Sequence, residues 1–226
     1  MKQKRSAGPV PAFLLGLFLA LALSLSVLAA LVWFAGTNAG LMSGWMLSCA
    51  PPERTKLPAE LYAPLCAALT DYLRGGTSAF DFMQGGISLF GTNEKLHLAD
   101  CAALFRFDRT LMLASAGLAA VLLIAVFFVR NGKSAAAGMT AGTLLSLAAV
   151  LALGVWGLAD FDGLFVTFHR VAFTNDLWLM NPATDLILRL MPTGFFVRYA
   201  LLIGGGWLLA LGLLFGLSRA LARRMR

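Results

Sequence analysis

Four stretches of this chain, residues 12–34, 111–129, 138–158 and 198–218, are apolar over the roughly 20 residues a helix needs to cross a bilayer. Hydrocarbon offers no water to backbone N–H and C=O groups. Each segment must satisfy them internally, which a helix does and an open strand does not. A chain of 226 residues that is 59% hydrophobic and only 13% charged has more apolar surface than a soluble domain can hide. The expected fold class is an all-α polytopic membrane protein. Its four transmembrane helices form a single membrane domain over residues 1–226. Two long extracytoplasmic loops, 36–109 and 159–196, form a small helical cap. The spans are nearly free of ionisable residues, which weighs against a transporter.

The first span follows Met1-Lys2-Gln3-Lys4-Arg5, as the core of a signal peptide would. It exceeds the roughly 7–15 residues of such a core and no small-x-small cleavage site closes it, so it reads as an uncleaved anchor. Orientation comes from charge. Lys2, Lys4 and Arg5 precede span one, Arg130 and Lys133 lie between spans two and three, and Arg219, Arg223, Arg224 and Arg226 follow span four. None of these segments contains an acid; every Asp and Glu falls in the two long loops. The positive-inside rule then places both termini in the cytoplasm and both long loops outside. The net charge of +7 sits on short tails beside spans, where it meets anionic lipid, and no nucleic-acid partner is expected.

Local patterns organise the loops. Gly36, Asn38, Trp45 and Pro51-Pro52 suggest an irregular exit from span one. Leu61, Leu65, Leu69 and Leu73 recur at helical spacing and Gly75-Gly76 stops them. Residues 78–90 fit either a short interfacial helix or a hairpin. Asn93 predicts the cap of a helix from Glu94 through His97 and Asp100 towards span two. In the second loop, Asp162 predicts the cap of a short helix carrying His169, and Asn181-Pro182 predicts a second helix start. That loop is dense in aromatic residues, as an interfacial segment is. Cys49, Cys66 and Cys101 all lie in the first loop, on an oxidising side. One disulfide is compatible with this, with Cys49–Cys66 preferred and Cys101 left over, but the pairing stays open.

The chain's two histidines, His97 and His169, fall one in each long loop. Imidazole gives and takes protons near neutrality, so a shared acid/base site is expected. Glu94 and Asp100 each stand three residues from His97, near enough on a helix for one to hold a ring N–H. His-x-x-Asp alone is a weak signal, and a solvated ion pair explains it equally well. Asp176 and Asp185 can orient His169, though helix capping accounts for both. Arg106, Arg109 and Arg198 near span ends read as snorkelling residues. No nucleophile elbow, phosphate-binding loop or dinucleotide fingerprint is present, and no cofactor is expected.

Asp71-Tyr72-Leu73 with NEKLHLAD at 93–100 resembles the first loop of the bacterial lipoprotein intramolecular transacylases. FHRVAFTNDLWLMNPATDLILRLMPTGFF at 168–196 is similar to that family more closely still. Cys101 departs from the pattern, where a small aliphatic residue is expected, and Pro192-Thr193-Gly194 lacks an expected acid. The resemblance implies an acyltransferase of the bacterial cytoplasmic membrane. Its substrate is a lipoprotein whose N-terminal cysteine carries diacylglycerol. The sn-2 acyl chain moves to the α-amino group of that cysteine, giving a lyso-form lipoprotein. It implies His97, His169, Asp100 and Glu94 as catalytic residues, and Asn175, Asp176, Trp178, Asp185 and Arg170 as substrate-binding or supporting ones. A monomer working without metal is expected. Two other readings compete. A metal-dependent membrane-surface hydrolase would use His97, Asp100, His169 and Asp176 as ligands. An accessory membrane subunit would tolerate loss of either histidine.

Overall fold

The structure is a computed structural model that describes residues 8–129 and 131–224. Lys2, Lys4, Arg5, Arg130 and Arg226, which carry part of the orientation argument, lie outside the described residues. The helices in chain order are α1 (Pro9–Thr37), α2 (Ala39–Cys49), α3 (Pro52–Thr55), α4 (Tyr62–Arg74), α5 (Thr92–Phe127), α6 (Gly132–Ala159), α7 (Phe161–Ala172), α8 (Leu186–Leu190) and α9 (Thr193–Arg224). A hairpin of β1 (Met83–Gln84) and β2 (Ile87–Ser88) stands between α4 and α5. The protein is thus a multi-pass helical membrane protein in which α1, α5, α6 and α9 are long and apolar enough to span. The helix expected from Glu94 and the second span are one continuous element, α5, of 36 residues.

Contacts divide the chain into two compact units. The first draws its described residues from Met1–Leu31, Thr110–Val155 and Gly204–Arg226. Here α1 and α6 touch backbone to backbone. A Cβ placed on Gly16 would lie 1.9 Å from the carbonyl oxygen of Ala135, and one on Gly138 would lie 1.9 Å from that of Phe13. Gly138 and Gly142 form the small-x-x-x-small spacing that lets helices close in lipid, where apolar burial supplies no attraction between them. Side-chain hydrogen bonds add to the packing: Trp207 donates to Ser24 at 3.0 Å, and Thr140 and Ser218 share one at 3.0 Å. Val121, Leu209 and Leu213 stay exposed, as suits a bundle whose solvent is hydrocarbon.

The second unit, Val32–Arg109 and Trp156–Ile203, holds both long loops. Its core packs Leu65 and Leu69 of α4 against Met46 of α2, Leu98 of α5 and Leu190 of α8. The exit from span one is helical rather than irregular: Asn38 Oδ1 accepts the Leu41 N–H at 2.9 Å and starts α2. Gly75 ends α4 at φ 87°, a left-handed position that suits glycine. Residues 83–88 resolve as the hairpin. Asp160, not Asp162, caps α7 through the Gly163 N–H at 2.8 Å. Asn181-Pro182 opens a turn instead of a helix. Asn181 Oδ1 takes the Ala183 N–H at 2.9 Å, and α8 begins only after Asp185. The disulfide expectation is corrected too, because Cys49, Cys66 and Cys101 are free thiols. Cys66 is fully buried with Sγ 3.8 Å from Met46 Sδ, so it fills the core as a small apolar side chain.

Candidate active site

His97 comes from the first turns of α5, and His169 from the last turn of α7. Both are 8% exposed, and their rings lie 6.1 Å apart, nearly parallel at 26°. The structure therefore brings together two histidines 72 residues apart in sequence (169 − 97). Aromatic rings close around them. Phe165 lies 4.2 Å from the His169 ring, Trp178 5.2 Å and Phe168 5.3 Å. Phe173 touches both histidines, at 5.0 and 5.5 Å. Phe165 could have been found from its place one turn before His169 on the same helix face.

One hydrogen bond of His169 fixes its tautomer. Its Nδ1 lies 2.7 Å from the Phe165 carbonyl oxygen. A carbonyl only accepts, so Nδ1 carries the proton and Nε2 keeps its lone pair. Burial lowers the His169 pKa, against the pull of that carbonyl, and the ring is a free base at neutral pH. His97 is pushed down to about 4, by burial first and then by His169 beside it, with the Asp100 charge opposing. Its Nε2 lies 3.6 Å from Cys101 Sγ, while its Nδ1 is buried without a partner among the described residues.

The two carboxylates near His97 do not hold its ring. Glu94 is 3% exposed; Oε2 accepts the Gly91 N–H at 2.7 Å and Oε1 the Ile187 N–H at 2.8 Å. The first contact is the return half of a capping box at the start of α5. The second supplies the cap that Asp185 does not give α8. Asp100 accepts the Asn175 side-chain N–H at 2.9 Å and so ties the two loops together, acting on His97 through its charge alone. Asp185 bonds the Asn181 N–H at 2.7 Å and the Thr184 hydroxyl at 3.1 Å. Among the described residues no carboxylate hydrogen-bonds to either histidine. Spacing along a helix shows which groups are neighbours, but not which backbone donors compete for them.

Arg170, Asn175, Asp176 and Trp178 line a shallow cleft of about 370 Å³ with Phe173. A second, more apolar cleft of about 470 Å³ is lined by Phe161, Phe165, Leu188, Met191 and Phe196, with Arg54 among its walls. Phe165 belongs to this cleft and to the ring cluster around His169. Arg198 donates to Ser48, and Arg109 lies over the Trp33 ring at 5.8 Å. Among the described residues no three His, Cys, Asp or Glu side chains converge to hold a metal ion.

The profile of the family described as lipoprotein intramolecular transacylase Lit matches residues 16–196. The chain is also similar to the solved structure of the membrane-integral lipoprotein intramolecular transacylase Lit from Bacillus cereus. Sequence identity is 21% over 97% of this chain and 99% of that one, with a TM-score of 0.79. A variant of that protein with one histidine replaced by alanine gives 21% identity over 96% of each chain and a TM-score of 0.75. No curated protein matches the sequence.

Proposed function

The chain belongs to the lipoprotein intramolecular transacylase (Lit) family, whose profile spans most of its length, and is an acyltransferase of membrane lipoproteins; from that premise we propose that it moves the sn-2 acyl chain of a diacylglyceryl-cysteine lipoprotein onto the α-amino group of the same cysteine. The observation that carries the proposal is the facing pair of buried histidines within an aromatic enclosure.

The chemistry asks for little else. An α-amino group has a pKa near 8, so at neutral pH it first gives up an ammonium proton to solvent. The amine nitrogen then bonds to the ester carbonyl carbon, and the bond from that carbon to the sn-2 oxygen breaks. The amine's second proton passes to His169 Nε2 and on to the departing glyceryl oxygen, so His169 ends as it began. General acid–base transfer of this kind contributes roughly 10²–10⁴-fold. Amine and ester belong to one molecule, so holding them near each other adds effective molarity and no protein nucleophile is needed. His97 serves the same site through its buried Nδ1. Asp100 and Asn175 hold the two loops in register, and Glu94 and Asp185 act on the backbone. The apolar cleft beside Phe165 suits an acyl chain, and Arg170, Asp176 and Trp178 line the shallower cleft where the polar end of the lipoprotein fits. Charge on the segments between spans supports termini in the cytoplasm and a site on the extracytoplasmic face. The protein works as a monomer in this reading.

The test mixes membranes bearing the chain with a diacylglyceryl lipopeptide that has a free N-terminus, and reads fragment ions by mass spectrometry. The expected result is an acyl group on the amine at unchanged total mass, lost in His97→Ala and His169→Ala. Both chains staying on glycerol, or full turnover in either variant, would overturn the proposal.

A further inference from the structure

Cys101 stands one helical turn beyond His97 on α5, with its thiol facing the ring at Nε2, 3.6 Å away. Sulfur and imidazole nitrogen can bond in two senses. In one, S–H enters the nitrogen lone pair; in the other, N–H points at sulfur. Imidazole nitrogen is a strong acceptor and a thiol sulfur a weak one, so the first sense is the better bond. It requires the thiol to stay protonated. Burial, aided by the Asp100 charge, pushes Cys101 up to about 12, and the thiol is S–H throughout the working range. A second observation bears on the same ring. His97 Nδ1 is a buried polar atom with no partner among the described residues, on a side chain 8% exposed. Leaving a buried polar atom without a partner is costly, and at a functional site it calls for a ligand.

We infer that Cys101 is a positioning residue: its S–H donates to His97 Nε2, keeps the ring proton on Nδ1, and so presents that N–H to the oxyanion formed on the ester carbonyl. This rests on the transacylase reading above and assigns His97 its part in it. With Nε2 occupied and the ring neutral, His97 gives a hydrogen bond and no proton. The proton balance is unchanged: amine to His169 to glyceryl oxygen, with nothing gained or lost at His97 or Cys101. A neutral imidazole N–H aimed at developing negative charge in a dry site is an oxyanion donor, and removing one such donor costs roughly 10²–10³-fold in kcat. Losing the residue that orients it costs less, roughly 10–100-fold by analogy with partners of metal-bound histidines.

The chain's two histidines make the tautomer directly observable. The full chain, ¹⁵N-labelled at histidine in detergent micelles, is read by long-range ¹H–¹⁵N correlation at neutral pH without substrate, with His169→Gln identifying which ring is which. The expected spectrum shows His97 as the Nδ1–H form. Cys101→Ala should move it towards Nε2–H and lower kcat about 10–100-fold with KM unchanged. Cys101→Ser, which keeps a donor, should hold the Nδ1–H form and recover most of the rate. A packing role would instead favour Ala over Ser. His97 found as Nε2–H in the parent chain, or Cys101→Ala leaving tautomer and kcat alone, overturns the inference. An Nδ1–H ring in a chain that moves no acyl group overturns the transacylase reading and the oxyanion role with it, while the Cys101–His97 bond stands.

Discussion

Replacing Glu94 separates scaffold from chemistry. Its carboxylate is 3% exposed and accepts two backbone N–H groups, from Gly91 at 2.7 Å and Ile187 at 2.8 Å. Hydrogen bonds to a charged group are worth roughly 1.5–3 kcal/mol each, so the pair contributes about 3–6 kcal/mol. The Gly91 end is only part-buried and water can replace the carboxylate there. The Ile187 end is buried, and Glu94→Ala leaves its N–H unpaired. The expected cost is therefore about 3–4 kcal/mol, a large share of the roughly 5–15 kcal/mol by which folded domains are stable. Glu94→Gln keeps one acceptor oxygen but turns an amide NH2 towards the other donor, so it should fall between Glu and Ala. Thermal unfolding of purified protein in detergent gives the order, and hydrogen exchange at the Ile187 amide reads the buried contact. The matching activity result is loss in proportion to folded protein. A Glu94→Gln chain as stable as the parent but slowed a hundredfold would refute the capping argument and return Glu94 to the chemistry.

Asn175→Ala breaks an exposed bond to Asp100; stability should change by less than about 1 kcal/mol, while initial rates fall about tenfold as the two loops lose register. The acid side of kcat should carry two steps, the substrate's ammonium near 8 and a second below 6.5, the ordinary histidine value, because burial lowers His169 and falling pH protonates Nε2. Stability follows the same sign. The unfolded chain protonates His97 near 6.5 and the folded one only near 4, so unfolding midpoints should drop as pH falls through that window. Gly138→Ala puts a Cβ 1.9 Å from the Phe13 carbonyl oxygen, and should cost about 1–3 kcal/mol in a melting assay. Gly212→Ala, with nothing within 4 Å, should be neutral. Maleimide added to protein denatured without reductant should label Cys49, Cys66 and Cys101 alike.

What the sequence made legible was whatever physics reads locally. The spans follow from apolar length, and α4 from the four-residue recurrence of Leu65, Leu69 and Leu73 with Gly75 behind them. His97 and His169 stood out because the chain has two histidines, one per long loop. Competition and distance were not legible. Asp160 and Asp162 are both good caps, and only the path of the chain out of α6 decides between them. Glu94 and Asp100 are both within reach of His97, yet their oxygens go to Ile187 and Asn175, 93 and 75 residues away. Cys66 lies on the buried face of α4 against Met46, where packing settles its fate before pairing can. The close approach of α1 and α6 was readable from Gly138 and Gly142 at their four-residue spacing, a signal that hydropathy masks.

One short helix, α8, sets a timetable for making the protein. Five residues cannot nucleate a helix unaided, and α8 depends on a carboxylate synthesised 93 residues before the amide it caps. At roughly 5–20 residues per second, about 5–20 seconds separate the two on the ribosome. Through that interval the nascent chain already holds His97 and Glu94, with Glu94 lacking one of its two final partners. A chain stopped short of Ile187 can therefore insert its first three membrane helices and even carry both histidines, yet leave a buried carboxylate half-partnered. That is an opening for the proteases that survey membranes, and it makes the last fifth of the message the checkpoint on which a working site depends.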